Sequence, residues 1–179
     1  MKQLLGMLCA LMLGFLCNNT FAQKAKKTHK MNAENISYPY TASLSSDFAI
    51  GNPQNSKMIL DLWKDYDENA FDRHADWFAD TVVMFFPDGS MLKGKDSVLA
   101  AVKSVRGSLS NATDKLVAWV PLKMVNNNEN WVALWGNETD VLPDGKTVSR
   151  DIQEVWRINK DGKVDFMKQY ESKPPAMQQ

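Results

Sequence analysis

Apolar residues recur three and four apart at Met58, Ile59, Leu62, Trp63 and Tyr66, the spacing of a helix that buries one face. Ser56 precedes them as a candidate N-cap, and the polar cluster Asp67-Glu68-Asn69 closes the run. Asp72 can cap a second, short helix in which Phe71, His74, Ala75 and Phe78 share a face. The period then changes. Thr81 to Phe86 is a run of β-branched and aromatic residues, the composition of a strand, and Pro87-Asp88-Gly89 turns it. A third helix is capped by Asp96, carries Val98, Leu99, Val102 and Val105 as its buried stripe, and ends near Gly107.

Four further strands are predicted over Lys115–Val125, Trp131–Leu142, Thr147–Ile158 and Lys163–Glu171. Asn126-Asn127-Asn128, Pro143-Asp144-Gly145 and Lys160-Asp161-Gly162 separate them. Asp-Gly supplies positive φ at little cost and marks a hairpin. Consecutive hairpins make an antiparallel meander, so the class is α+β.

Alternation within the strands points to chemistry. In Thr147–Ile158 the apolar row is Val148, Ile152, Trp156 and Ile158, yet Arg150 and Glu154 stand in it. Ionisable groups on a core-facing row are costly unless paired or set in a wet cavity. These two lie roughly 13 Å apart along the strand, close enough to address one cavity without touching. A structural ion pair for each is the plainer reading. The strand Trp131–Leu142 is apolar on both faces, with Trp131, Ala133 and Trp135 opposite Val132 and Leu134. Trp119 is out of phase with Leu116, Ala118, Val120 and Leu122. A sheet apolar on both faces needs two covers; the helices supply one, and a second copy of the chain is expected to supply the other.

Composition sets the compartment. Lys2, an uncharged apolar run from Leu4 to Cys17, and Thr20-Phe21-Ala22 read as a secretory signal peptide cleaved after Ala22. The run is too short for a comfortable membrane span, so no membrane attachment is expected after cleavage, and the protein is expected in the periplasm or outside the cell. Both cysteines leave with the leader, so no disulfide is expected. Near-neutral charge, 21 basic against 21 acidic residues, argues against a nucleic-acid partner. Residues 23–55 read as a flexible arm whose Phe48-Ala49-Ile50 can dock on the domain. Residues 56–172 read as the domain and 173–179 as a tail.

The order of helix, short helix ending Phe78-Ala79-Asp80, strand, helix, and a meander through Val155-Trp156-Arg157-Ile158 and Asp161-Gly162-Lys163-Val164 resembles the nuclear-transport-factor-2-like superfamily, nearest its SnoaL-like members. The resemblance covers about residues 56–172. It implies a cone: a strongly bent, mostly antiparallel sheet wrapped around three N-terminal helices, enclosing an apolar pocket. It also implies sheet-to-sheet dimers, and a range of roles from isomerases and cyclases to non-catalytic binding modules. Of the ketosteroid isomerase roles, the general-base position is Phe86 here, the oxyanion-hole tyrosine falls near Leu62 or Trp63, and the second oxyanion-hole acid corresponds to Glu154. With one role of three kept, steroid isomerisation is not expected.

The expected pocket is lined by Leu62, Trp63, Phe78, Met84 and Phe86 from the first half of the chain. Arg150, Ile152, Trp156, Met167 and Gln169 line it from the second half. Glu154 and His74 are the acid–base candidates. The expected ligand is a small hydrophobic or aromatic molecule. The alternatives are acid/base catalysis by Glu154 assisted by His74 or Arg150, and a dimerisation module. Asp65, Asp67, Asn69 and Asp76 imitate a calcium loop but lack its glycine and terminal glutamate. No phosphate loop, nucleophile elbow or dinucleotide fingerprint is present, and neither a metal nor a cofactor is expected.

Overall fold

A computed structural model describes residues 37–172. The expected signal peptide, the expected arm as far as residue 36 and the tail 173–179 lie outside the described residues.

The first helix begins earlier than its periodicity suggests. Helix α1 spans Pro53–Asp67, with Asn52 as N-cap accepting from the Gln54 amide at 3.0 Å. Proline at the first helical position is preset for the helix and gives up an amide that would be unbonded anyway. The Asn-Pro pair therefore starts the helix one turn before Ser56, which is buried inside it. Ahead of α1, strand β1 (Phe48–Ile50) pairs with Met124–Leu122 of β4 (Asn111–Met124). The end of the expected arm is thus an edge strand of the sheet.

A 3-10 helix, Phe71–Trp77, follows α1 and leads directly into β2 (Phe78–Phe85). Asp72 does not cap it; its carboxylate pairs with Lys103. A short strand β3 (Met91–Lys93), missed by periodicity, precedes α2 (Lys95–Gly107). In α2, Val98 is fully buried, while Val105 is exposed and Arg106 is buried in its place. Strands β5 (Asn130–Val141), β6 (Thr147–Ile158) and β7 (Val164–Ser172) complete the meander, within a few residues of expectation.

Among the described residues, seven strands form one sheet in the order β1-β4-β5-β6-β7-β2-β3. Every pairing is antiparallel except β2 with β7. Register shifts in the β2–β7, β4–β5 and β6–β7 ladders mark bulges, which bend and twist a sheet; the sheet curls around α1 and α2. The bulge at Val117 also resets alternation in β4. Leu116 pairs with Gly136 on the inner face, but beyond the bulge it is Trp119 that pairs with inner Leu134. Ala118, Val120 and Leu122 turn outward opposite Trp135, Ala133 and Trp131. The single row drawn through Leu116 and Leu122 is therefore split between two faces.

Ile59, Leu62, Phe78, Met84, Val132 and Leu134 form the fully buried centre, at 0–1% exposure. Each contributes roughly 1.5–3 kcal/mol by its burial. The outer sheet face stays largely apolar. Trp131 and Phe166 pack edge to face with the Arg157 guanidinium over both rings, while Ile50, Trp135 and Tyr170 are exposed.

Candidate functional site

Between the inner face of the curled sheet and the two helices lies a cavity of about 520 Å³. One side is apolar, with Leu62 and Phe71 beside Met84, Phe86, Leu92 and Met167. The other side carries ionisable groups from β4, β5, β6 and β7.

Glu154 is 6% exposed and lines the cavity. Its Oε2 accepts from the Trp63 indole of α1 at 2.6 Å and from the Trp156 indole of β6 at 2.8 Å. Trp156 lies two residues further along the same strand and so on the same face. Both indoles use one oxygen, leaving Oε1 for the cavity. Burial pushes the carboxyl up to about 7, against the two N–H bonds that favour its charged form. Gly136 makes room for this arrangement. A Cβ there would stand 2.9 Å from Cζ3 of Trp63, so the indole occupies the space a side chain would need.

A second group lies across three strands in register. Asp114 on β4 faces Glu138 on β5, and Glu138 faces Arg150 on β6. Asp140 joins from two residues beyond Glu138. Arg150 Nε lies 3.1 Å from Glu138 Oε1, one terminal nitrogen bonds Asp140 Oδ2, and the other is 3.7 Å from Glu171 of β7. Burial, then the charges of Glu138, Asp67, Glu154 and Asp140, push Asp114 up to about 9. Burial and the Asp140 charge push Glu138 up to about 7, with Arg150 opposing. Asp140 is also raised, by burial, again against Arg150. The Tyr66 phenol on α1 is raised by its burial and by the Glu138 and Asp140 charges, so it stays neutral. Tyr66 is held from behind, where buried Arg106 donates to the Tyr66 and Asp67 carbonyls at 2.7 and 2.8 Å.

Of the foreseen residues, Leu62, Trp63, Met84 and Phe86 line the cavity, as do Arg150, Trp156, Met167 and Gln169. Phe78 and Ile152 do not; they are buried in the core. His74 is also elsewhere. Its Nδ1 lies 2.5 Å from Asp65 Oδ2 and its ring stacks on Trp77 at 3.8 Å. Buried Asp65 also accepts from Arg73 at 2.8 Å, so this network ties α1 to the 3-10 helix instead of addressing a ligand. Arg150 and Glu154 do not touch; each has its own partners. The calcium imitation dissolves in the same way, with Asp65 facing Arg73 and His74 while Asp67 accepts from the Asp114 amide. Among the described residues no group of three or more histidine, cysteine or acidic side chains is placed to hold a metal ion.

Periodicity missed Asp114, Glu138 and Asp140, and it placed Tyr66 on the buried face of α1 without marking it as a cavity residue. The Asp-Gly hairpin carried the signal for Glu138, because counting back from that turn places it opposite Arg150.

No family model matches the sequence, and no curated protein matches it. Solved structures do match in shape. An NTF2-like protein of unknown function from Exiguobacterium sp. 255-15 aligns with a TM-score of 0.53 at 21% identity, covering 66% of this chain and 98% of that one. An LEH-like epoxide hydrolase from M. tuberculosis aligns at 0.56 and 12% identity, covering 67% and 84%. This is the NTF2-like fold. A putative SnoaL-like polyketide cyclase from Jannaschia sp. CCS1 shares it at a TM-score of 0.53 and 14% identity, covering 75% of this chain and 92% of that one. The NTF2-like cone thus serves proteins named for different reactions, and identities this low carry the fold alone.

Proposed function

We propose that this chain is an exported NTF2-like domain that binds a small, largely apolar or aromatic molecule in its cavity and exchanges a proton with it through Glu154. The observation that carries the reading is Glu154 itself: buried at the cavity wall, held by two indoles through one oxygen, and raised to about 7. An acid or base works best when its pKa lies near the operating pH. The fold relatives named as an epoxide hydrolase and a cyclase support a reactive pocket of this kind. His74 has no part in the proposal. Arg150 acts by bridging the acids of the second group and offsetting their mutual repulsion. Export rests on the leader read in residues 1–22.

Native mass spectrometry of freshly purified protein should find a co-purified small molecule, which then serves as probe together with simple epoxides and conjugated enones. Glu154→Gln should keep affinity for it and lose about 10²–10⁴-fold in turnover. Turnover that survives Glu154→Gln unchanged would remove the proton role and leave a binding site only.

We further propose that two copies associate through their outer sheet faces. The row of Trp131, Phe166, Trp135 and Tyr170 is apolar, and the last two are 38% and 47% exposed. Sedimentation at micromolar concentration should give twice the mass of the mature chain. A monomer there would mean that this face is left to solvent.

A further inference from the structure

The proposal that the cavity binds a small molecule leaves its charge open. Among the described residues, six carboxyl groups reach the cavity wall, from Asp88, Asp114, Glu138, Asp140, Glu154 and Glu171, against one cationic side chain, Arg150. Arg150 is already engaged by Glu138, Asp140 and Glu171. It has little left to offer an anionic ligand, and the surrounding acids would repel one.

The unpaired atoms point the same way. Four buried side-chain polar atoms among the described residues lack a hydrogen-bond partner, and three belong to cavity-lining residues: Asp114 Oδ1, Asp140 Oδ1 and Arg150 Nε. Arg150 Nε still has Glu138 Oε1 beside it at 3.1 Å. Asp140 is 4% exposed, so its second oxygen is held out of water with no N–H donor supplied, only the Glu138 carboxyl beside it to share a proton. A buried acceptor without a donor costs about 1–3 kcal/mol, and more for a charged group. Tyr66, Trp63 and Trp156 add aromatic surface, whose faces attract cations.

We infer that the ligand carries a protonated amine on an apolar or aromatic body, with the ammonium beside Asp140 and Asp114 and the body against Met84, Phe86 and Met167. An ammonium supplies the missing donors and the missing positive charge together. Because no three of these carboxylates are spaced to hold a metal ion, an organic cation fits better than an inorganic one. This inference rests on the small-molecule reading above.

The groups facing the ammonium are Tyr66 on α1, Asp88 in the turn after β2, Asp114 on β4, Glu138 and Asp140 on β5, Arg150 and Glu154 on β6, and Glu171 on β7, with the charges of Asp67 on α1 and Arg106 on α2 acting on Asp114 and Asp140 from behind. Of these, Asp114 holds its proton at neutral pH and Glu138 is partly protonated, because of burial and mutual repulsion. A bound cation favours their charged forms, so amine binding should release protons.

The test is a matched set of probes with one apolar body: naphthylmethylamine, naphthylmethanol and naphthoate, titrated calorimetrically at pH 7.5 in buffers of different ionisation heat. The amine should bind about tenfold tighter than the alcohol, as a charge-assisted hydrogen bond provides, with proton release that the alcohol lacks. The naphthoate should bind weakest. Asp140→Asn should bring the amine down to the alcohol's affinity. Should that variant not fold, the wild-type proton release still decides. An alcohol that binds as tightly as the amine, or amine binding without proton release, overturns the inference and leaves the cavity reading intact. Failure of all three probes to bind removes the cavity reading, and the inference with it.

Discussion

Arg150→Met is expected to lower the stability of the domain by about 3 kcal/mol at pH 8, a fall in Tm of roughly 10 °C. The side chain is 23% exposed, so the loss should sit at the low end of what breaking a buried ion pair costs. Methionine keeps the volume and removes the charge. Glu138, Asp140 and Glu171 are then left around an uncharged side chain, with Asp114 one strand away. The sign with pH follows from the acids. Arg150 holds Glu138 and Asp140 below where burial alone would put them, so its removal raises both further. A carboxyl whose folded pKa lies above its unfolded value contributes stability at low pH and loses it as pH rises. The variant should therefore approach wild type at pH 5 and fall away from it toward pH 8. Urea unfolding at the two pH values measures this. An equal deficit at both would assign Arg150 a packing role and contradict the charge balance argued for the cavity.

The same cluster shows where sequence is legible and where it is not. Arg150 and Glu154 were visible because β6 keeps strict alternation over its whole length, so an ionisable residue in the apolar row stands out. Glu138 and Asp140 were not, because the end of β5 is polar on both faces: Asn137 and Thr139 bond Arg150, Asp151 and Ser149 on one side, while Glu138 and Asp140 face Arg150 on the other. Asp114 sits before the bulge at Val117, where alternation breaks and a face assignment propagated from Val120 gives the wrong side. His74 was misplaced for a different reason. Helical spacing put it on the Phe71–Phe78 face, but the segment is a 3-10 helix with a kink at His74, where φ is −123° and ψ is 35°. Three residues per turn and that kink send the ring to Asp65. The parallel β2–β7 pairing and the edge strands β1 and β3 leave little local signal, since two are three residues long and the parallel contact joins distant segments.

Glu154→Gln should separate from wild type in the pH dependence of stability by up to about 3 kcal/mol, the free-energy equivalent of the shift from an ordinary 4.5 to about 7. Below pH 4.5 the carboxyl is protonated whether the chain is folded or not, and the two proteins should differ little. Between 4.5 and 7 the unfolded chain gives up the proton and the fold keeps it. Wild-type stability then falls by about 1.4 kcal/mol per pH unit from this group alone, while the glutamine, which does not titrate, escapes that loss. Above 7 the fold carries a buried carboxylate and the gap stays constant. Asp114 and Glu138 titrate in both proteins and largely cancel in the difference, though each should fall slightly in the variant because the Glu154 charge helps raise them. The indoles give a second readout. Trp63 and Trp156 donate to the titrating oxygen, so wild-type tryptophan emission should change with a midpoint near 7, and that of Glu154→Gln should not. The glutamine carbonyl can still accept both N–H bonds, which keeps the packing and isolates the proton. Parallel stability curves from pH 4 to 9 would mean that Glu154 does not titrate in this range, and the proton role proposed for the cavity would have no carrier.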